Sequence, residues 1–184
     1  MSPGKKIVVI TGSPRKDGNS NAMSNAFIHA AEQLGHTIIQ FDAVEEDVGG
    51  CKACRSCFKT EDCACTFDGG FNRIATSILD ADGIVLSMPV YWYSIPAQIK
   101  CVIDKLFSFL VAGKDVSGKA CALLSCCQDK DTSVFDGVYT PYKRTAALLK
   151  WTCVGEVLVP GVWKVGDIEQ TDGCRQAALL AERF

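Results

Sequence analysis

Hydrophobic positions along the chain follow two patterns, continuous short runs and recurrence at helical spacing. Short continuous apolar runs predict five buried strands, at residues 6–11, 36–42, 83–90, 120–125 and 154–162. Between these runs apolar residues recur at helical spacing, which predicts helices at residues 19–34, about 71–80, 96–112, 135–150 and 174–183. Residues 43–66 show neither period and hold five of the chain's 11 cysteines.

The regular alternation of strands and helices predicts an α/β fold, with a parallel sheet covered by helices on both faces. Five strands favour the doubly wound, flavodoxin-like order 2-1-3-4-5, whose ligand crevice lies at the carboxyl ends of strands 1 and 3. We expect a single flavodoxin-like domain over residues 1–184, with a cysteine-rich insertion at about residues 43–66.

The charge and the apolar runs of the chain bear on whether it binds nucleic acid or a membrane. The net charge is −2 without a block of like charges, which argues against nucleic-acid or membrane-surface binding driven by charge. The first 12 residues lack the plan of a signal peptide, and no apolar run approaches the roughly 20 residues that span a bilayer. The expectation is a soluble, cytoplasmic protein.

The loop after the first strand, TGSPRKDGNSNAM at residues 11–23, has the parts of a phosphate cradle. It is neither a P-loop nor a G-x-G-x-x-G turn. It offers the guanidinium group of an arginine and the N–H groups at the start of a helix, both of which can donate hydrogen bonds to phosphate oxygens. The candidate phosphate-binding residues are Ser13, Arg15, Asn19, Ser20 and Asn21. The alternative is a polar turn in which Asn or Ser merely caps the helix.

Two stretches of this chain resemble one known family. GSPRKDGNSN resembles the FMN-phosphate loop of the NAD(P)H-dependent FMN reductases within the flavodoxin-like superfamily. ADGIVLSMPVYWYSIPAQIKCVIDKLF, at residues 81–107, is similar to the third strand, flavin loop and following helix of the same family. The resemblance implies that FMN is the cofactor and that hydride transfer needs no protein nucleophile, so no catalytic side chain is assigned.

Two further loops are expected to reach the flavin ring from the same edge of the sheet. In PVYWYS, at residues 89–94, backbone groups are expected to bond the polar edge of the ring and an aromatic side chain to stack on its face. The alternative places these aromatics in the core or at a subunit contact. The resemblance adds the segment after strand 4. The candidates are Pro89, Val90, Tyr91, Trp92, Ser125, Cys126 and Cys127.

The cysteines of CKACRSCFKTEDCAC, at residues 51–65, are spaced like metal ligands. Three cysteines at successive x2 spacing are typical of [4Fe–4S] ligation rather than of zinc, and a reducing compartment disfavours disulfides. The predicted ligands are Cys51, Cys54, Cys57 and Cys63, with Cys65 as an alternate for the last. Zinc and free thiols remain the alternatives.

This spacing also resembles that of the iron–sulfur flavoproteins, which carry C-x2-C-x2-C-x(4–7)-C after the second strand. The resemblance implies an FMN-dependent oxidoreductase that passes electrons between NAD(P)H or a ferredoxin-like donor and a small-molecule acceptor. It also implies a homodimer or homotetramer. The alternatives are a cluster-free NAD(P)H:FMN or quinone reductase, and a non-enzymatic electron carrier or thiol redox sensor.

Overall fold

The computed structural model describes residues 4–184 and contains the predicted sheet. Five parallel strands lie in the order β2-β1-β3-β4-β5, which confirms the flavodoxin-like fold class. Their bounds are Lys6–Thr11 (β1), Thr37–Asp42 (β2), Gly83–Pro89 (β3), Ala120–Cys126 (β4) and Thr152–Val159 (β5). β5 ends earlier than predicted because Pro160 has no N–H with which to continue the ladder.

The helices lie on both faces of the sheet. They are Asn19–Gln33 (α1), Gly69–Asp80 (α2), Ala97–Lys105 (α3), Phe107–Ala112 (α4), Asp136–Leu149 (α5) and Gly173–Leu180 (α6). Short 3₁₀ turns occupy Thr132–Phe135, Asp167–Gln170 and Ala181–Arg183. Residues 43–66 contain no helix or strand, in agreement with their lack of period.

The prediction of one continuous helix over residues 96–112 is wrong, because the structure has two helices there, α3 and α4. The helix breaks at Leu106, whose N–H is shared between the carbonyls of Val102 and Ile103. The break turns Phe109 fully into the core and leaves Phe107 exposed, although both fall on apolar positions. The following helix α4 therefore presents a partly apolar outer surface.

The sheet separates two hydrophobic cores, as the period of two along each strand requires. Along β1, Val8 and Ile10 face the core under α2, α3, α4 and α5, whereas Ile7 and Val9 face the core under α1 and α6. Within residues 4–184, no helix combines the length and apolarity needed to cross a bilayer.

Candidate functional site

Three loops meet at the carboxyl edge of the central strands, as the fold predicts. The N–H of Gly12 donates to the carbonyl of Ser87 at 2.9 Å and joins the loop after β1 to the end of β3. The N–H of Val90 donates to the carbonyl of Cys126 at 2.9 Å and joins the end of β3 to the end of β4. The loops that begin at residues 12, 90 and 127 therefore border one crevice.

The loop after β1 leads into α1 without a side-chain cap. Gly18 is the capping residue and has no side chain with which to accept from the first-turn N–H groups. A Cβ at this glycine would lie 2.9 Å from the Arg15 carbonyl oxygen and 3.0 Å from the Ser13 hydroxyl, so the tight turn requires glycine. Ser13, which is buried, accepts from the N–H of Arg15 at 3.2 Å and fixes the turn. The start of α1 thus presents backbone donors to the crevice.

The side chains of two predicted phosphate ligands are engaged in holding this loop. Asn19 donates to the carbonyl of Lys164 at 2.9 Å and accepts from the N–H of Ile168 at 3.3 Å. Asn21 donates to the carbonyl of Arg15 at 2.9 Å, and its own Oδ1 is buried without a hydrogen-bond partner among residues 4–184. Their backbone N–H groups, with that of the buried Ser20, are what the first turn of α1 offers a ligand.

A segment after β5 supports the same loop, and sequence reasoning missed it. The guanidinium of Arg15 lies over the ring of Trp163, with 5.4 Å between Cζ and the ring centroid. Asp167 accepts from the N–H groups of Trp163 and Lys164 at 2.9 and 2.7 Å and closes this segment into a turn. The available signal was a tryptophan followed by lysine, between Gly161 and Gly166, at the carboxyl end of a strand.

The loop after β3 is a tight turn that carries its aromatics outward. Tyr91 and Ser94 exchange backbone hydrogen bonds of 3.0 Å, while Trp92 and Tyr93 adopt φ angles of 48° and 61°. Trp92 is 92% exposed and Tyr93 63% exposed, so a core role is wrong for both. Tyr91 is exposed to a lesser degree, and Pro89 and Val90 are half-buried beneath the turn. A Cβ at Gly137 of α5 would lie 1.7 Å from the Tyr93 carbonyl oxygen, so α5 packs directly against this turn.

β4 extends through Cys126, so Ser125 and Cys126 are its last two residues and Cys127 follows it, all three buried at the same edge. The hydroxyl of Ser125 has no hydrogen-bond partner within residues 4–184. The two thiols point into opposite cores, and the Cys127 thiol donates to the carbonyl of Asp129 at 3.3 Å. Burial raises the pKa of Cys126 to about 12, so its thiol stays protonated. A vicinal disulfide is therefore not formed, and all eleven cysteines of the chain are free thiols.

The cysteine-rich insertion packs on the body of the protein through Phe58, whose ring lies 6.0 Å from that of Phe109 between centroids. Within the insertion, Thr66 donates to the carbonyl of Ser56 at 2.7 Å. Three non-glycine residues within it, Ala53, Arg55 and Phe58, have φ angles of 53°, 55° and 50°. Positive φ angles of this kind occur in the backbone nests that hold anions and iron–sulfur clusters.

A cavity of about 830 Å³ lies beneath this insertion. Four cysteines are among the residues that line it, namely Cys51, Cys54, Cys57 and Cys65. Cys63, the fourth predicted ligand, is not part of the lining. A cation also borders the cavity from α3, since Lys105 lines it.

The thiols of the insertion differ in their surroundings. Cys51 and Cys54 are exposed, and Cys57, Cys63 and Cys65 are half-buried. Burial, with a smaller contribution from the nearby Cys54, Cys65 and Cys51 sulfurs, raises the pKa of Cys57. A hydrogen bond from the backbone of Ser56 lowers the pKa of Cys54. Within residues 4–184, no three His, Cys, Asp or Glu side chains already stand in an arrangement that would hold a metal ion, and the predicted ligand set stays a prediction.

A buried ion pair connects the insertion to α2 and α3. The carboxylate of Asp68 pairs with the ammonium of Lys105, and each side chain is only 5% exposed. Asp68 also accepts from the N–H groups of Phe71 and Gly49, both at 2.9 Å, so it caps α2 and holds the start of the insertion. Burial acts to raise the pKa of Asp68, but these three hydrogen bonds outweigh it and the pKa lies below its ordinary value.

Comparison with protein families and known proteins gives consistent results. Residues 5–134 match the family model of NADPH-dependent FMN reductase. An iron-sulfur flavoprotein of Methanosarcina thermophila is 35% identical over 100 residues, which are 54% of this chain and 51% of that protein. An FMN-dependent NADH:quinone oxidoreductase of Bordetella parapertussis is 31% identical over 121 residues, covering 60% of this chain and 56% of that protein. The chain thus spans about half the length of the curated relatives it matches.

Solved structures share the fold across the whole chain. An azoreductase from Bacillus anthracis strain Sterne superposes with a TM-score of 0.74 at 19% identity, covering 98% of this chain and 100% of that one. An FMN-dependent NADH-azoreductase from Bacillus anthracis strain Ames Ancestor, solved in complex with FMN, gives a TM-score of 0.71 at 15% identity and covers 97% and 98% of the two chains. At these identities the likeness shows the fold alone.

Proposed function

Because the chain belongs to the family of NADPH-dependent FMN reductases, we propose that it binds FMN at the carboxyl edge of its sheet and works as an FMN-dependent oxidoreductase. We further propose that the cysteine-rich insertion of this single flavin-binding domain holds a [4Fe–4S] cluster. The observation that carries the proposal is the meeting of three loops at the switch point between β1 and β3, with an uncapped helix start among them.

The loop after β1 supplies the phosphate site in this proposal. The first-turn N–H groups of Asn19, Ser20 and Asn21 are oriented for an anion because α1 begins at Gly18 without a side-chain cap. Ser13 fixes the turn by accepting from the Arg15 N–H. Arg15 adds a permanent positive charge, and its planar guanidinium lies over the indole ring of Trp163, which orients it.

The two other loops supply the ring site. Backbone groups from Pro89 to Tyr91 border the crevice, and a polar ring atom would satisfy the hydroxyl of Ser125, which has no partner within residues 4–184 and lies near the end of β4. Cys126 and Cys127 contribute shape rather than thiolate chemistry, because burial keeps both thiols protonated. When bound, FMN supplies a ring that exchanges hydride with a nicotinamide and releases electrons singly or in pairs.

The cluster site fits the chemistry of its donors. Cys51, Cys54 and Cys57 line one cavity with Cys65, and Ala53 and Arg55 between them have positive φ angles, a conformation that occurs in cluster-binding nests. When bound, a [4Fe–4S] cluster supplies a one-electron carrier. We propose NAD(P)H or a ferredoxin-like protein as donor and a small molecule as acceptor.

An exposed apolar surface supports assembly into a homodimer or homotetramer. Trp92 on the β3 loop is 92% exposed, and Phe107, Leu110 and Val111 of α4 are 49%, 44% and 40% exposed. Phe107, Leu110 and Val111 are three and four residues apart and therefore share one face of α4, and a contiguous exposed apolar patch marks an interaction surface. Light scattering on the purified protein tests the proposal, and a monomeric mass at micromolar concentration would refute it.

The phosphate site is tested by neutralising one cation of the loop and then its neighbour. Arg15→Gln is expected to weaken FMN binding by about 10-fold or more, since a hydrogen bond to a charged group contributes about 1.5–3 kcal/mol. Lys16→Gln is the matched control, because Lys16 is exposed and pairs with Glu45 at 2.6 Å. Riboflavin, which lacks the phosphate, should bind both variants and the wild type equally. Equal loss of FMN affinity in both variants, or none in Arg15→Gln, would refute the site.

A second candidate function is a cluster-free NAD(P)H:quinone reductase with the same flavin site. It is favoured by the similarity to the Bordetella parapertussis quinone oxidoreductase. Steady NAD(P)H oxidation with a quinone, by protein that takes up FMN but no iron under anaerobic reconstitution, would support this second candidate. Failure to turn over with any nicotinamide or quinone would instead favour an electron carrier.

A further inference from the structure

Two cysteines close to the end of the insertion compete to complete the metal site, and they face different surroundings. Cys65 lines the 830 Å³ cavity together with Cys51, Cys54 and Cys57. Cys63 lies only two residues away but is absent from the lining. The spacing from Cys57 permits either residue, so the distinction comes from the fold of the segment.

Cys63 belongs to a turn that folds back on itself. The N–H of Phe58 donates to the carbonyl of Cys63 at 2.9 Å, and the N–H of Cys63 donates to the carbonyl of Thr60 at 3.1 Å. Its thiol donates to the carbonyl of Cys65 at 3.3 Å and accepts from the side-chain amide of Asn72 at 3.6 Å. A sulfur bonded to iron has no proton to donate, and a thiolate at this position would face a carbonyl oxygen.

Cys65 is fixed by its backbone and leaves its side chain at the cavity wall. The side chain of Asn72, on α2, accepts from the Cys65 N–H at 2.7 Å and donates to the Cys65 carbonyl at 3.0 Å. The N–H of Asp68 donates to the same carbonyl at 3.3 Å. Three hydrogen bonds therefore hold the main chain of Cys65 against the start of α2, and none of them uses its sulfur.

We propose that the cluster of this protein is ligated by Cys51, Cys54, Cys57 and Cys65, and that Cys63 is a structural residue of the loop rather than a ligand. The inference rests on the proposed cluster and names its fourth ligand. Ligation replaces each S–H bond by an S–Fe bond and releases the proton to solvent, with iron and inorganic sulfide as the co-reactants. Asn72 then acts as a positioning residue, since it holds the main chain of the cavity-lining Cys65 and donates to the sulfur of Cys63.

Two matched single substitutions separate the alternatives. Wild type, Cys65→Ala and Cys63→Ala, each saturated with FMN, are reconstituted anaerobically with ferrous iron and sulfide. Iron and acid-labile sulfide per chain, the visible spectrum and the electron paramagnetic resonance of the reduced protein are then measured. FMN content and circular dichroism report whether each variant keeps its fold.

Wild type and Cys63→Ala are both expected to hold about four iron atoms per chain with the same resonance signal. Cys65→Ala is expected to hold less than half of that iron, or to give an altered signal, with its FMN content unchanged. Loss of iron in Cys63→Ala, retention of the wild-type signal in Cys65→Ala, or equal loss in both would overturn the assignment. A wild type that binds FMN but takes up no iron would overturn the cluster itself and the assignment with it, which distinguishes the two failures.

Discussion

Removing the ammonium of Lys105 should destabilise the protein strongly, because it leaves a charge alone in the interior. In Lys105→Met the side chain is only one heavy atom shorter, but the carboxylate of Asp68, which is only 5% exposed, retains just the N–H groups of Gly49 and Phe71. Breaking a buried ion pair by removing one partner costs about 3–5 kcal/mol. At this chain length the loss corresponds to a fall of roughly 6–20 °C in the melting temperature.

The pH dependence gives the same prediction a second readout. Since the folded pKa of Asp68 lies below its ordinary value of about 3.9, the stability it contributes is present above about pH 4 and is lost as the pH falls through the folded pKa. In Lys105→Met the largest lowering contribution is gone, so Asp68 takes up a proton at higher pH. The gap in unfolding free energy between variant and wild type should therefore narrow below about pH 5.

Urea unfolding of FMN-saturated protein, followed by circular dichroism between neutral and mildly acidic pH, measures both effects. The double variant Asp68→Asn/Lys105→Met removes both charges and should be more stable than Lys105→Met alone. If the unfolding free energy of Lys105→Met lay within about 1 kcal/mol of the wild-type value at neutral pH, the ion pair would contribute no more than an exposed one, which would contradict the account. So would a gap that stays constant toward acid, or a double variant less stable than either single one.

Three other substitutions or modifications probe separate contacts of the site. Gly137→Ala should lower the melting temperature, because the added Cβ would lie 1.7 Å from the carbonyl oxygen of Tyr93 in the β3 loop. A variant with the wild-type melting temperature would show that α5 does not pack against this loop. In folded, cluster-free protein at pH 8, iodoacetamide should modify the exposed Cys54, whose pKa is lowered by a backbone hydrogen bond, well before the buried Cys126, whose pKa is about 12. Equal rates by mass spectrometry would contradict the burial. Trp163→Ala should weaken FMN binding severalfold, since a cation–π contact with Arg15 contributes about 0.5–1 kcal/mol; unchanged affinity by fluorescence titration would remove Trp163 from the site.

The order of the sheet could be predicted from the sequence because each strand is a continuous apolar run and each connection is helical. The placement of three loops at one edge then followed from the parallel topology alone. The break at Leu106 could not be predicted, because Phe107 and Phe109 are equally apolar in sequence. Only the packing of Phe109 against Phe58 of the insertion decides which of them is buried.

The less predictable parts of the site depend on contacts between distant segments. The support that Trp163 gives Arg15 joins the loops after β5 and β1, and the pairing of Lys105 with Asp68 joins α3 to the start of α2. Spacing alone favoured Cys63 as the fourth ligand, with Cys65 as the alternate, whereas in the fold the side chain of Asn72 holds the main chain of Cys65 and contacts the sulfur of Cys63. The sequence could name candidate cysteines for the cluster, but the contacts that distinguish one neighbour from the other are tertiary hydrogen bonds.

Anaerobic purification and reconstitution of the wild-type protein, with FMN, iron and acid-labile sulfide counted per chain, is the most direct measurement. The account predicts one FMN and about four iron atoms per chain, with flavin bands over a broad iron–sulfur absorption that bleaches on reduction. Stoichiometric FMN with less than one iron atom per chain after reconstitution would contradict the cluster. Protein that binds neither FMN nor iron would contradict the whole assignment.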